Sequence, residues 1–362
     1  MRLPGASSDY LAQLKAKVAE FRDAFSDFGV SEPEVFESAP EHYRMRAEFR
    51  VWHQGERLDF AMSDPSDPKR PVLMESFPAA SRRICDAMPD LRRYLQGSDV
   101  LRQRLFQVNF LSTLSGELMI TLLYHRKLEA DWEAEAKVLG VRFHAQIIGR
   151  SHKQKLVLER DWLLEEFDLG ERHLRYQQIE GSFSQPNAGT NRAMLGWAVT
   201  QASRLEGDLL ELYCGNGNFT VALAPLFDKV LATEVSKSST RAALYNLDAN
   251  GIGNVVIARM SSDEISDALA GGREYRRLRD IDLDAYRFST IFVDPPRCGL
   301  DPATVELARS FTNILYISCN PKTLQENVAA LHDTHAITAT AIFDQFPYTH
   351  HLECGLMMSR RQ

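Results

Sequence analysis

The sequence predicts an α/β protein of two domains that meet near residue 180. The first observation is length, because 362 residues are enough for two domains that each bury a core. The second is a change in pattern. Up to about residue 180, helical and strand patterns are mixed, as in an α+β domain built on an antiparallel sheet. From about residue 205, short apolar strands alternate with helices, which predicts a doubly wound, mostly parallel sheet. We therefore expect an α+β domain over residues 1–180 and an α/β domain over residues 181–362.

Apolar spacing defines the elements of the first half. A helical repeat predicts a helix over residues 10–28, carried by Leu11, Leu14, Val18, Phe21 and Phe25. Further patterns predict a short helix over residues 132–139 and strands over residues 44–53, 105–110, 118–124 and 143–148.

The second half is predicted to contain short buried strands and a terminal hairpin. Apolar runs place strands over residues 209–213, 229–234, 254–258, 289–294 and 314–318. Helices are expected between them, for example over residues 238–249 and 303–310. The last two strands, over residues 337–343 and 352–359, are expected to pair as an antiparallel hairpin. The arginine-rich run 273–279 is interpreted as an exposed insertion, to which we assign no function.

Composition and cysteine usage restrict the class of protein. With 44% hydrophobic and 25% charged residues, the chain resembles ordinary soluble proteins. The polar start gives no sign of a signal peptide, and no apolar run approaches the roughly 18 residues of a membrane span. Five cysteines, widely spaced and without a CxxC pair, argue against a disulfide framework, a metal site or an iron–sulfur cluster. We therefore expect a cytoplasmic protein without membrane contact.

Basic residues cluster in the first half although the net charge is −7. The clusters lie at residues 42–50, 125–127 and 150–155. Each alone also fits a solvated surface, but the three together predict a face that binds phosphates. Arg44, Arg46 and Arg50 are candidate phosphate contacts, although strand alternation also allows ion pairs with Glu48.

Cys319 occupies a position suited to a nucleophile. It follows the predicted strand 314–318, and Asn320 and Pro321 have the residue types preferred at the cap and first position of a helix. The sulfur is thus expected at the carboxyl edge of the sheet, beside the positive end of a helix, where a thiol pKa is lowered. The alternative is a small buried cysteine that ends a strand.

A glycine turn indicates a nucleotide-like cofactor. Gly215 and Gly217 follow a predicted strand in a GxGxF pattern, which lacks the full pyrophosphate fingerprint. Glu234 lies about 20 residues beyond the first glycine, where a carboxylate holds ribose hydroxyls. A nucleoside without a diphosphate is implied, and S-adenosylmethionine fits best. After the fourth strand, two prolines are expected to direct Asp294 and Arg297 into the cleft, although a rigid turn would also explain the prolines.

Several longer motifs carry a resemblance that spans nearly the whole chain. They are HYRMRAEFR from residue 42, SFP from 76, LFQ from 105, SQPN from 184, LELYCGNGNF from 210, FVDPPR from 292, SCNP from 318 and DQFPYTHHLECG from 344. The sequence resembles the RNA 5-methyluridine methyltransferase family, and within it the bacterial branch that acts on the T-loop uridine of tRNA.

The resemblance implies a reaction and a role for individual residues. It implies a Rossmann-like domain that uses S-adenosylmethionine to methylate C5 of uracil, with Cys319 as nucleophile on C6 and Glu353 as the base. The implied cofactor contacts are Gln185, Tyr213, Asn218, Glu234 and Asp294. Neither a metal nor an iron–sulfur cluster is implied.

The resemblance also implies that the first half binds RNA, with the T-arm of tRNA as partner. Phe106 is a candidate wedge or stacking platform, although a core phenylalanine is an equal alternative, and Arg297 is a candidate RNA contact. We expect a monomer.

Other functions stay open on sequence alone. Ribosomal-RNA relatives commonly carry an N-terminal iron–sulfur cluster and often a small added barrel, whereas the first half here contains only Cys85 and leaves no room for a barrel before residue 42. This favours tRNA, with ribosomal RNA or tmRNA as alternatives. A tRNA-folding chaperone that does not depend on methylation is an alternative of another class. A DNA or small-molecule methyltransferase is disfavoured, because the first half has no DNA-reading motif.

Overall fold

Two large sheets organise the protein. The computed structural model describes residues 7–64, 66–67 and 70–362. Its helices are α1 Ser7–Phe25, α2 Arg82–Gly97, α3 Asp99–Arg102, α4 Ala130–Phe143, α5 Ala188–Ala202, α6 Asn218–Leu223, α7 Lys237–Ala249, α8 Ser262–Leu269, α9 Pro302–Arg309 and α10 Pro321–Leu331. Its strands are β1 Glu34–Phe36, β2 Arg46–Gln54, β3 Arg57–Ser63, β4 Pro71–Leu73, β5 Leu105–Ser112, β6 Leu118–Tyr124, β7 Gln146–Ser151, β8 Gln154–Val157, β9 Trp162–Leu169, β10 Arg172–Ile179, β11 Asp208–Leu212, β12 Val230–Thr233, β13 Val255–Ala258, β14 Phe288–Val293, β15 Asn313–Ser318, β16 His335–Phe343 and β17 Glu353–Arg360.

The second half forms a mostly parallel sheet, as predicted. Eight strands lie in the order β1-β16-β17-β15-β14-β11-β12-β13. The pairs among β11 to β15 are all parallel, and β17 runs antiparallel between β15 and β16. The terminal antiparallel hairpin is thereby confirmed. Because β17 pairs antiparallel with β15, the start of β17 lies beside the carboxyl end of β15.

Two early elements of the chain join this second sheet. Strand β1 pairs in parallel with β16 at the sheet edge. Helix α1 packs Leu14, Val18, Phe21 and Phe25 into the core that also contains residues of β15. The helical repeat predicted over residues 10–28 thus faces the second sheet, except that Leu11 is exposed. The α-helix ends at Phe25, and a short 3₁₀ turn continues to Phe28.

The first-half sheet is mixed because of one crossover. Its order is β4-β3-β2-β5-β6-β7-β8, and every neighbouring pair is antiparallel except β6 and β7. Helix α4 connects these two strands, and a crossover of this kind makes them parallel. The expectation of an antiparallel sheet was therefore wrong at this pair. Strands β9 and β10 form a separate two-stranded ribbon.

One predicted strand boundary was also wrong. The strand expected over residues 143–148 begins at Gln146 and extends to Ser151, because α4 continues through Phe143. Phe143 is buried as the last residue of this helix, and His144 ends it in a left-handed conformation with φ of 46°. Phe143 fits the apolar pattern of a strand, but it belongs to the last turn of the helix.

Candidate active site

One pocket at the carboxyl edge of the second sheet collects the predicted site residues. It has a volume of about 520 Å³ and lies where β11, β12, β14 and β15 end. Both predicted catalytic residues, all five predicted cofactor contacts and one RNA-contact candidate line it: Cys319, Glu353, Gln185, Tyr213, Asn218, Glu234, Asp294 and Arg297.

The backbone around Cys319 has the predicted strand-to-helix form. The residue directly follows β15, and α10 begins two positions later at Pro321. The side chain of Asn320 caps the helix by accepting a hydrogen bond from the amide of Lys322 at 3.2 Å. The hydroxyl of Ser318 accepts from the amide of Asn320, also at 3.2 Å. The turn that carries the thiol is thus held on both sides.

The predicted pKa direction for this thiol was wrong. Burial raises the pKa of Cys319 to about 11, and the carboxyls of Glu353 and Asp294 add to the effect. Arg297 acts in the opposite direction and lowers the pKa. The sequence showed only the helix end, whereas burial and two neighbouring acids raise the pKa in the folded protein.

Strand pairing brings Glu353 beside the cysteine. Glu353 is the first residue of β17, and the next residue, Cys354, pairs with Ser318 of β15. The carboxyl is nearly buried, with 7% of the residue exposed. Burial raises the pKa of Glu353 well above its ordinary value, and the charge of Asp294 contributes. A carboxylate in this setting is a stronger base than one in water.

The loop after β14 is tied to the turn that carries the thiol. The carbonyl of Arg297 accepts from Nδ2 of Asn320 at 2.9 Å and from the hydroxyl of Thr323 at 3.2 Å. The Arg297 side chain itself is exposed at the pocket. Burial raises the pKa of Asp294 to about 7. Asp294 and Arg297 thus border the same cleft, as the two prolines between them led us to expect.

The glycine turn leaves an open cradle beside a fixed carboxylate. Glu234 accepts from the amide of Gly215 at 3.0 Å and from that of Ser236 at 2.7 Å. Gly217 has φ of 79°, and a Cβ there would approach Ala243 at 3.3 Å, so the turn requires glycine. Gly215 also has positive φ, and the space where its Cβ would lie is open. A ligand can therefore contact the backbone here.

Two of the predicted cofactor contacts are hydrogen-bonded to buried amide side chains. The sequence predictions did not include these amide residues. Asn218 and Asn191 of α5 exchange two hydrogen bonds, of 2.9 and 2.8 Å. The amide of Gln345 donates to Oε1 of Gln185 at 2.6 Å. Asn191 and Gln345 are both buried polar residues. Gln345 lies within the DQFPYTHHLECG motif, which was the available signal for it, whereas nothing local marks Asn191.

A buried acid and an exposed aromatic residue were likewise absent from the sequence predictions. Glu211 of β11 is 1% exposed, and burial raises its pKa to about 8, with Thr220 acting in the opposite direction. Phe183 lines the pocket although it is 75% exposed. An aromatic ring this exposed is a candidate stacking surface.

The three candidate arginines of the first half lie in different surroundings. Arg46 is half-buried and donates to the carbonyl of Ser182 at 2.6 Å, which ties β2 to the segment preceding Gln185. The guanidinium of Arg44 lies 5.9 Å from the ring centroid of Phe346, another pocket residue. Arg50 is exposed on β2. Arg44 and Arg46 thus lie beside the catalytic pocket, and contact between these arginines and RNA stays a prediction.

A second, basic pocket lies on the first-half sheet. It has a volume of about 1010 Å³ and is lined by Phe106, His125, Arg126 and Lys127 together with residues 150–154. The ring of Phe106 stacks on His125, with centroids 4.0 Å apart and an angle of 12° between the planes. Two of the three predicted basic clusters thus meet around a half-buried aromatic ring, whereas the cluster of residues 42–50 lies elsewhere.

Comparison with known proteins identifies the family. The family model described as tRNA (Uracil-5-)-methyltransferase matches residues 9–361. The chain belongs to this family. The resemblance inferred from the motifs is therefore confirmed, and so is the assignment to the methyltransferases.

Full-length relatives show the same membership. The chain is 65% identical over 362 residues to a protein of Aromatoleum aromaticum named tRNA/tmRNA (uracil-C(5))-methyltransferase, covering 100% of this chain and 98% of the relative. It is 66% identical over 353 residues to a protein of the same name from an Azoarcus species, covering 98% of this chain and 97% of the relative.

A solved structure has the same fold. The tRNA (uracil-54, C5)-methyltransferase of Pyrococcus abyssi, in complex with S-adenosyl-L-homocysteine, superposes with a TM-score of 0.73. The two chains are 18% identical, and the match covers 96% of this chain and 83% of the other.

Across the described ranges 7–64, 66–67 and 70–362, no helix is long and apolar enough to cross a bilayer. Among these same residues, no group of three or more His, Cys, Asp or Glu side chains could hold a metal ion.

Proposed function

We propose that this protein transfers a methyl group from S-adenosylmethionine to C5 of the T-loop uridine of tRNA, through a covalent bond between Cys319 and C6 of the base. One observation carries the proposal: Cys319 and Glu353 share a pocket with the glycine turn and Glu234. The names of the relatives, which include both tRNA and tmRNA, support an RNA substrate and add tmRNA as a second one.

The residues around the glycine turn fit a nucleoside cofactor. The carboxylate of Glu234 is held by two backbone amides, so its remaining lone pairs can accept from two ribose hydroxyls. The open space above Gly215 admits the cofactor close to the backbone. The other predicted cofactor contacts surround the same volume. S-adenosylmethionine supplies an electrophilic methyl group when it is bound there.

Cys319 overcomes the weak nucleophilicity of uracil C5. Addition of its thiolate to C6 moves the electron pair of the C5–C6 double bond toward C5. C5 then takes the methyl group, and the electron pair of the broken methyl–sulfur bond stays on the sulfur of the departing thioether. The thiolate must form in a site that disfavours it, because the thiol pKa is about 11. Arg297 is the neighbouring cation that favours the thiolate, which gives this exposed side chain a role besides RNA contact.

Glu353 completes the reaction by accepting the C5 proton. After methylation, C5 carries both a hydrogen and the new methyl group. Removal of the proton returns its electron pair to the C5–C6 bond, the C6–S bond breaks, and Cys319 leaves as thiolate. The raised pKa of Glu353 suits it to this step, and the pairing of β15 with β17 supplies the proximity.

The first-half sheet is proposed to hold the RNA while the target base leaves its stack. Flipping a base costs a few kcal/mol, which stacking and edge contacts offset. The Phe106–His125 stack and the surrounding basic residues form a surface of aromatic and positive character. Phe183 offers a second exposed ring at the catalytic pocket.

The decisive experiment uses two active-site variants. Labelled S-adenosylmethionine is incubated with tRNA, tmRNA and ribosomal-RNA transcripts, and the methylated nucleotide is mapped. Cys319→Ala should give neither methylation nor adduct, because the nucleophile is missing. Glu353→Gln should accumulate a methylated enzyme–RNA adduct on denaturing gels, because the C5 proton stays in place.

A neighbouring cysteine supplies the matched control. Cys298→Ala changes an exposed thiol directly after Arg297 and should behave like the unaltered protein. Turnover by Cys319→Ala would refute the mechanism, and methylation confined to ribosomal RNA would refute the proposed substrate.

The separation of the two pockets supports a second proposed activity, which is the promotion of tRNA folding. The basic pocket with Phe106 shares no lining residue with the catalytic pocket. We infer that this surface binds tRNA and promotes its folding without methylation. Cys319→Ala separates the two activities, because it should still accelerate tRNA folding if the second one exists.

A further inference from the structure

A buried lysine organises the loop that leads to the proposed base. Lys17 of α1 is 5% exposed, and its ammonium lies 2.7 Å from Oδ1 of Asp344. The same nitrogen donates to the carbonyl of Phe346 at 3.2 Å and to that of His351 at 3.0 Å. An ammonium group has three N–H donors, so these acceptors use all of them. The three acceptors span the connection between β16 and β17.

The loop held in this way contributes one residue to the catalytic pocket and leads into another. Phe346 lines the pocket, and His351 lies two residues before Glu353. Residues 344–352 include no helix or strand that could fix their conformation. Strand pairing holds the backbone of Glu353 opposite Phe343, and the contacts of the loop with other parts of the protein fix how the chain enters β17 between these two paired residues.

The ammonium lies where a charge is costly. Lys17 is buried on the side of α1 that carries Leu14 and Phe21, where a helix normally has a hydrophobic residue. Its partner Asp344 is also fully buried. Exchanging a buried ion pair for apolar residues is often neutral or stabilising. Stability alone therefore explains this pair poorly.

Other contacts tie the same loop to the cofactor side and to the first-half sheet. Gln345 donates to Gln185, a proposed cofactor contact. The guanidinium of Arg44 lies over the ring of Phe346 at 5.9 Å. The loop thus contacts the proposed sites of both substrates. The ammonium of Lys17 is hydrogen-bonded to the loop near each of its ends.

We propose that Lys17 is a positioning residue for Glu353, holding the 344–351 loop so that the carboxyl reaches the C5 proton of the methylated base. This inference rests on the proposed function, because it assumes that Glu353 is the base. Lys17 is not among the residues that line the catalytic pocket, and it takes no part in proton transfer. It acts through the carbonyls of Phe346 and His351, which lie toward opposite ends of the loop.

The test compares charge removal at Lys17 with the same change on the exposed side of the helix. Lys17→Met keeps the aliphatic stem and removes the ammonium, and Lys15→Met is the matched control at an exposed position of α1. We expect Lys17→Met to lower kcat roughly 100-fold, the scale of a 1 Å misplacement, with little change in KM for S-adenosylmethionine. It should also accumulate the methylated enzyme–RNA adduct, as Glu353→Gln does, because proton removal is the impaired step.

A double variant separates positioning from charge balance. Lys17→Met combined with Asp344→Asn leaves neither partner as an unpaired buried charge, so it decides the question if the single variant does not fold. Continued adduct accumulation in the double variant supports the proposal. Restored turnover in the double variant, or turnover by Lys17→Met equal to that of Lys15→Met, overturns it. If Glu353→Gln traps no adduct, the assignment of the base fails instead, which is a separate result.

Discussion

The active site combines three residues whose charged forms are disfavoured. Burial raises the pKa of Cys319, Asp294 and Glu353. The neighbouring acids oppose thiolate formation, and Arg297 favours it. Cys319, the proposed nucleophile, is thus held largely as the thiol, which is the less reactive form.

The pH dependence of alkylation at Cys319 tests this arrangement. Because the thiolate is the reactive form, the rate with iodoacetamide should rise with pH toward about 11. Glu353→Gln and Asp294→Asn each remove a negative charge and should move the profile to lower pH, with the larger displacement for Glu353→Gln. Mass spectrometry identifies the modified cysteine, and the exposed Cys298 provides an internal reference. A profile that neither variant moves would contradict the assigned causes.

Among the elements of the fold, strand β11 carries a buried acid just before the glycine turn. The pKa of Glu211 is about 8 against an ordinary value of 4.5, with burial as the first cause. Between these two pH values the folded state binds more protons than the unfolded state, so stability falls as pH rises. The strand therefore bears a cost at neutral pH that a neutral side chain would avoid.

Replacement of Glu211 by glutamine should remove this pH dependence. The stability of Glu211→Gln relative to the unaltered protein should increase by a few kcal/mol from pH 4.5 to pH 8, at about 1.4 kcal/mol for each pH unit between them. Urea unfolding at several pH values measures the difference, with Glu206→Gln, at an exposed position before β11, as the matched control. The same pH dependence of stability in Glu211→Gln and the unaltered protein would contradict the raised pKa.

Across the whole molecule, the first-half sheet is tied to the segment that leads into α5, beside the catalytic pocket. The amide of Met45 donates to the carbonyl of Pro186 at 2.7 Å, and Arg46 donates to the carbonyl of Ser182. Helix α1 and strand β1 come from the first half of the chain but pack with the second sheet. A substrate that contacts both the basic pocket and the catalytic pocket has to reach from one sheet to the other, as a folded RNA can.

Removal of the Phe106 ring tests whether RNA uses the basic pocket. Phe106→Ala should weaken tRNA binding about tenfold, since one stacked base contributes about 1–3 kcal/mol. Binding of S-adenosylhomocysteine should not change, because the catalytic pocket is separate. Filter binding and calorimetry measure the two affinities. Val141→Ala, at an exposed position of α4, is the control, and equal tRNA affinity for both variants would argue against RNA contact at Phe106.

Features that depend on local pattern could be predicted from the amino-acid sequence alone. Alternating strands and helices predicted the parallel sheet, and Asn320 with Pro321 predicted the helix start after the thiol. The glycine turn and Glu234 predicted a cradle with a carboxylate beside it. Each of these was predicted from residue types at short and regular spacings along the chain, which local backbone preferences fix.

Features that depend on distant contacts and on the exclusion of water arise only in the assembled fold. Lys17 and Asp344 are 327 residues apart, so no local pattern pairs them. The parallel pairing of β6 with β7 and the packing of α1 on the second sheet also depend on long-range contacts. The pKa of Cys319 was predicted in the wrong direction, because burial and the approach of Glu353 arise only when β15 and β17 pair.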